Sequence, residues 1–219
     1  MITIIDYGAG NLFSVQNALN YLGLENRVSS DPAEIRSADG LILPGVGAFP
    51  DAMRMLNASG LTGFIREEAR KKPFLGICLG MQLLFETGYE FEETAGLGLL
   101  PGTVQKISTP YKIPHMGWNS LTFHRPCPLL EGIQEGESVY FVHSFQAKTQ
   151  PECLYASCDY GTEIPALVGE GTVFGAQFHP EKSGEPGLMI LRNFADLCQD
   201  VAQRKTSKEG FSHDTASRH

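Results

Sequence analysis

Pro73-Phe74-Leu75-Gly76-Ile77-Cys78-Leu79-Gly80-Met81-Gln82 runs from an apolar strand into a helix through the spacing G-x-C-x-G. Glycines at 76 and 80 let the strand and the following helix approach closely around a sharp turn, and cysteine stands where a nucleophile elbow carries serine. Such a turn is expected to present Cys78 to solvent. It also places the backbone N–H of Leu79 at the helix start, where the dipole favours a thiolate and an oxyanion. Gln82 lies four residues on and shares the face of Cys78, which brings an amide close to the thiol. Free cysteines are more often inert buried side chains, so the reading depends on what the rest of the chain supplies.

Upstream, the pattern alternates. Ile2 to Ile5 reads as a buried strand that empties into Asp6-Tyr7-Gly8-Ala9-Gly10-Asn11, and apolar Leu12, Val15, Leu19 and Leu22 then mark a helix. The two glycines lack the third of a dinucleotide loop, and no acidic partner follows downstream. Asp31-Pro32 gives an N-cap and first position for a short helix. Gly40-Leu41-Ile42-Leu43 is a further strand, ending in Pro44-Gly45-Val46-Gly47. Glycines at the carboxyl end of a strand free the backbone to turn N–H groups into the crevice where open α/β sheets hold ligands. Helices over Pro50 to Leu56 and Thr62 to Arg70 lead back to Pro73.

Downstream, short alternating stretches predict antiparallel strands beside the first sheet: Val104 to Ile107, Ser120 to Phe123, Ser138 to Val142, Leu154 to Ala156 and Ala166 to Val168. Ile113-Pro114-His115-Met116-Gly117-Trp118-Asn119 reads as a loop carrying the only Trp, a composition that suits a contact surface. A last strand, Thr172 to Phe178, runs into His179-Pro180-Glu181. The proline keeps His179 extended, and residues two apart then project to one side, so Glu181 can orient His179 as a base. A helix from Pro186 to about Cys198 closes the fold. The expected architecture is α/β, a mixed and mainly parallel sheet flanked by helices with added antiparallel strands. One domain is expected over residues 1–203, with a flexible polar tail over 204–219.

The chain has 219 residues, 17 basic and 25 acidic, for a formal charge of −8. No segment concentrates Lys and Arg enough to follow a phosphate backbone, so nucleic acid is not an expected partner. The amino terminus has no basic leader and no run of 18 apolar residues occurs, which points to a cytosolic protein without a membrane partner. Five scattered cysteines with no C-x-x-C predict reduced thiols and no structural metal.

With Pro44-Gly45-Val46-Gly47, the elbow at 76–82 and Phe178-His179-Pro180-Glu181 in this order, the chain resembles the class I (triad) glutamine amidotransferases from about Met1 to Leu197. Three further stretches are similar to the branch that serves as glutaminase subunit of imidazole glycerol phosphate synthase: Ile4 to Asn11, Pro114 to Asn119 and Tyr140-Phe141-Val142-His143-Ser144-Phe145. The resemblance implies a triad of Cys78, His179 and Glu181, and an oxyanion hole from the backbone of Val46, Gly47 and Leu79. It places Gln82, His143 and Ser144 in the glutamine pocket, and Asn11, Met116, Trp118 and Lys182 on the face toward a cyclase (synthase) subunit in a heterodimer. No metal or organic cofactor is implied. A γ-glutamyl hydrolase, an amidotransferase of another pathway and a non-catalytic scaffold are the competing readings; the Pro114 to Asn119 stretch argues against the first two and the unbroken triad against the third.

Overall fold

Parallel pairing begins with the first strand and sets the frame of the molecule. In the computed structural model, which describes residues 1–214 with side chains as far as 204, the strands in chain order are β1 (Ile2–Ile5), β2 (Asn26–Ser29), β3 (Gly40–Gly45), β4 (Phe74–Cys78), β5 (Thr87–Gly88), β6 (Thr94–Ala95), β7 (Thr103–Lys106), β8 (His115–Ser120), β9 (Thr122–Phe123), β10 (Ser138–His143), β11 (Phe145–Lys148), β12 (Leu154–Asp159), β13 (Glu163–Glu170) and β14 (Val173–Ala176). The helices are α1 (Leu12–Tyr21), α2 (Pro32–Ser37), α3 (Phe49–Ala58), α4 (Thr62–Glu68), α5 (Leu79–Gln82) and α6 (Gly184–Asp214). An eight-stranded sheet runs β2-β1-β3-β4-β14-β13-β12-β9, parallel as far as β14 and antiparallel beyond.

Residues alternate across this sheet into two apolar layers. Ile4, Ile42, Leu75 and Ile77 face α1 and α6 through Val15, Leu19, Ile190, Leu191 and Phe194. Ile5, Leu41, Leu43 and Phe74 face α2, α3 and α4 through Ile35, Phe49, Met53, Leu56 and Ile65. Burial on both faces is why these strands read as continuous apolar runs. Asp31 caps α2 as expected, accepting from the N–H of Ala33 at 2.8 Å.

Three expectations need correction. The stretches at 103–106 and 138–143 do not join the main sheet: β10 pairs with β8 in a two-stranded ribbon, and β11, β7, β5 and β6 form a separate four-stranded sheet. The segment read as a loop around Trp118 is β8 itself, paired antiparallel with β10 in the register Trp118 to Tyr140. Its alternation was hidden because the outward residues, Met116 and Trp118, are apolar and exposed while His115 points inward. The closing helix is also longer than expected, reaching Asp214, so part of the segment read as a polar tail belongs to α6; residues 215–219 lie outside the described residues.

The short helix α5 sits on β3 and β4 at backbone contact. A Cβ on Gly80 would stand 1.8 Å from the carbonyl oxygen of Leu43, one on Gly76 2.6 Å from that of Gly80, and one on Gly45 2.5 Å from the nitrogen of Gly80. None of these clashes can be relieved by turning a side chain. Gly80→Ala is therefore expected to destabilise the chain by at least about 3 kcal/mol, the upper end for overpacking, measured by denaturant unfolding. A loss below about 1 kcal/mol would mean that α5 can lift off its strands.

Candidate active site

The seating of α5 forces the turn that bears the thiol. Cys78 ends β4 with φ 56° and ψ −112°, a conformation costing about 1–3 kcal/mol for a non-glycine residue, and Leu79 opens the helix directly after it. The strain is held by the glycine contacts around it. Contrary to the sequence expectation, Cys78 is not presented to bulk solvent. It is buried, with its Sγ 3.8 Å from the carbonyl oxygen of Val142. The reason is β10, which lies across the carboxyl ends of the parallel strands and roofs the elbow.

The same strand holds the histidine segment. His179 follows β14, its N–H donates to Tyr140 O at 2.9 Å, and the hydroxyl of Ser183 ties the two segments by accepting from Tyr140 N at 3.0 Å and donating to His179 O at 2.6 Å. His179 Nδ1 stands 2.8 Å from Glu181 Oε1, with both side chains almost wholly buried. Pro180 begins a single 3₁₀ turn, Pro180–Lys182, that brings the carboxylate under the ring. His179 Nε2 and Glu181 Oε2 are buried without a hydrogen-bond partner in the chain. Burial opposes charge on the His179 ring, but the adjoining Cys78 sulfur and the Glu181 carboxylate outweigh it and raise the pKa to about 9. The ring is thus an imidazolium at neutral pH.

A cavity of about 310 Å³ opens here, at the small end of the range for ligand sites. Its lining brings together Val46, Gly47, Cys78, Leu79, Gln82, His143, Ser144, His179 and Lys182. Gly47 has φ +98°, a conformation open to glycine, and no atom lies within 4 Å of where its Cβ would be, so this peptide has room. Gln82 is not solvent-facing: its Nε2 donates to Phe145 O at 3.0 Å and to Gln177 Oε1 at 2.9 Å. Glu90 also lines the cavity and accepts from the N–H of Phe49 at 2.8 Å. Sequence reading missed it because Glu90 sits in an acidic stretch, Glu90-Phe91-Glu92-Glu93, that reads as a solvated loop. A wider hollow of about 740 Å³ between Phe123 and Ile133 shares no lining residue with this cavity.

Of the residues assigned to a partner face, Met116 and Trp118 project outward from β8, with the Trp118 ring 6.0 Å from Tyr140. Lys182 is exposed at the cavity rim. Asn11 caps α1 by accepting from Ser14 N at 3.4 Å, and the neighbouring Gly10 packs against Pro44. All five cysteines are free thiols and buried. No helix among the described residues is long and apolar enough to cross a membrane, and no cluster of three or more His, Cys, Asp or Glu there could hold a metal ion.

The His179 pKa carries a stability consequence. Its folded value of about 9 exceeds the unfolded value of about 6.5, so the folded state binds the proton more tightly and gains stability that is full below pH 6.5 and lost as pH rises through about 9. The thermal-midpoint advantage of wild type over His179→Asn should therefore shrink from pH 6.5 to pH 9. A constant difference across that window would contradict the charged ring.

Comparison with known proteins places this geometry. The model of the family "Glutamine amidotransferase class-I" matches residues 3–197. The chain is 54% identical over 200 residues to the imidazole glycerol phosphate synthase subunit HisH of Bacillus cereus (strain G9842), covering 91% of this chain and 96% of that protein. It is 52% identical, with the same coverage, to the HisH subunit of Bacillus thuringiensis (strain Al Hakam). The fold is shared with a crystal structure of a glutamine amidotransferase (TM-score 0.72, 21% identity, 91% of this chain and 100% of that one). It is shared too with the structure of PurLQS from Thermotoga maritima (TM-score 0.70, 23% identity, 89% of this chain and 97% of that one). With a family model spanning most of its length and relatives more than half identical to it, the chain belongs to the class-I glutamine amidotransferases, on the branch of the HisH subunits of imidazole glycerol phosphate synthase.

Proposed function

We propose that this chain hydrolyses glutamine to glutamate and ammonia through Cys78, His179 and Glu181. In this reading it passes the ammonia to a cyclase subunit, with which it forms a heterodimer that makes imidazole glycerol phosphate and AICAR in histidine biosynthesis. The observation that carries the reading is the buried His179–Glu181 pair beside a strained cysteine at the carboxyl ends of parallel strands, all opening on one amino-acid-sized cavity.

The Cys78 thiolate attacks the side-chain amide carbon of glutamine, and the charge on its oxygen is met by backbone N–H groups of Leu79 and the Val46-Gly47 segment. The imidazolium of His179 gives its proton to the departing nitrogen, so ammonia leaves and a γ-glutamyl thioester remains. The ring, now neutral, takes a proton from water as the water attacks the thioester; glutamate departs and the thiolate–imidazolium pair is restored. Glu181 holds the Nδ1–H and supports the charged form. Gln82, His143 and Ser144 shape the pocket, and Glu90 supplies the negative charge that suits the α-ammonium of the substrate. Ammonia released into water would be protonated and lose its nucleophilicity, which favours direct transfer at the rim formed by Asn11, Met116, Trp118 and Lys182. Residues 1–203 form the catalytic domain in this reading.

Cys78→Ala should abolish glutamine hydrolysis with the fold intact, His179→Asn should be nearly as severe, and Glu181→Gln milder. Synthesis from external ammonium salt by the complex should survive all three. Normal glutamate release by Cys78→Ala, or a greater loss at Glu181 than at His179, would overturn the assigned roles.

The isolated chain should be a poor glutaminase, activated by a cyclase partner that has bound its own ligand. One missing oxyanion donor lowers turnover by about two to three orders of magnitude, so reorienting the free peptide at Gly47 suffices as a gate. Steady-state glutamate release should rise in the order chain, complex, complex with ligand; full activity of the chain alone would contradict gating.

A further inference from the structure

Behind the cavity, the pocket residue His143 ends a row of side chains whose other members, His115 and Asn119, this chemistry does not use. His143 Nδ1 is 2.8 Å from the carbonyl of Phe145, and because a carbonyl only accepts, that nitrogen carries the hydrogen. Nε2 of the same ring is then an acceptor, so His115 Nδ1, 2.9 Å away, must be the donor. That leaves His115 Nε2 to accept, and Asn119 Nδ2 lies 3.3 Å from it while also donating to Asp159 O at 2.8 Å. One fixed carbonyl therefore sets the direction of every bond in the row: Asn119 to His115 to His143 to Phe145 O.

The carbonyl at the end of the row is the one that accepts from Gln82 Nε2 at 3.0 Å. The second Nε2 hydrogen of Gln82 goes to Gln177 Oε1 at 2.9 Å, so both donors of that amide are used within the chain and Oε1 is left to receive an N–H. The row is built to stay intact at neutral pH. The His115 ring is stacked on Phe141 at 4.7 Å and Tyr160 at 4.1 Å, and burial holds the pKa of His115 at about 4 and that of His143 at about 3. Neither His115 nor Asn119 lines the cavity, and both belong to β8, whose outward residues are Met116 and Trp118.

We propose that His115 and Asn119 are positioning residues for the substrate pocket: by saturating His143 from behind they hold the Phe145 carbonyl and, through it, the orientation of the Gln82 amide toward the bound substrate. This deepens the reading of the cavity as a glutamine site and rests on it. Removing the His115 donor strands a buried acceptor on His143, and the ring then gains by turning away from Phe145 O.

The test uses the full chain in complex with its cyclase partner. Long-range proton–nitrogen correlation of the histidine rings should find His115 and His143 both protonated on Nδ1; the opposite tautomer at either ring overturns the row. His115→Leu keeps the bulk and deletes the donor. It should raise KM for glutamine about tenfold, the scale of one buried hydrogen bond, with kcat and the rate of Cys78 alkylation by iodoacetamide nearly unchanged. His115→Asn can place an N–H near the position of Nδ1 and should recover most of the loss. An unchanged KM in His115→Leu, or an equal loss in both variants, overturns the proposal. Absence of glutamate release by the wild-type complex would overturn the glutamine reading and the substrate named here with it, while the tautomers, read without turnover, still decide the row itself.

Discussion

Backbone contact between α5 and the strands beneath it is the constraint on which the rest of the site depends. Where a Cβ on Gly80 would sit 1.8 Å from the carbonyl oxygen of Leu43, the helix axis is closer to the sheet than any side chain permits, and Gly45 and Gly76 complete the floor. A helix pressed that low can follow its strand only through a tight turn, which puts Cys78 at φ 56°. The strain is offset by contacts among segments distant in sequence, so the position of the sulfur is decided by the core and not by a loop.

The roof matters as much as the floor. By pairing with β8 and lying against both the His179 segment and the thiol, β10 covers the elbow from above and shields it from bulk solvent. Within a few residues that roof then creates two electrostatic environments for histidine. His179 lies beside a carboxylate and a sulfur and is held charged, whereas His143 and His115 lie among rings and carbonyls and are held neutral. The charged ring suits proton delivery; the neutral pair suits a fixed pattern of donors and acceptors.

Much of this was legible in the sequence because it is local. The apolar runs of β1, β3 and β4, the Asp31 cap, the spacing of Gly76, Cys78 and Gly80, and the extended backbone at His179 each state their geometry within a short stretch of chain, whereas the 3₁₀ turn that carries Glu181 reads in the sequence as extended chain. What was not legible depends on contacts between segments. The burial of Cys78 comes from Val142 of β10, sixty-four residues away. The β8 strand was concealed by outward-facing Met116 and Trp118, which reverse the usual sense of alternation. Glu90 is a cavity residue only because α3 begins beside it, with the Phe49 N–H bonded to its carboxylate; nothing in an acidic stretch announces that.

The central claim is that one thiol among five is a nucleophile aimed into a glutamine-shaped site. Its most direct measurement is reaction of the complex with a glutamine-mimicking diazoketone, followed by peptide mapping with and without excess glutamine. The account predicts a single adduct on Cys78 that glutamine suppresses. Labelling of Cys127, Cys153, Cys158 or Cys198 instead, or labelling of Cys78 that glutamine does not slow, would contradict it.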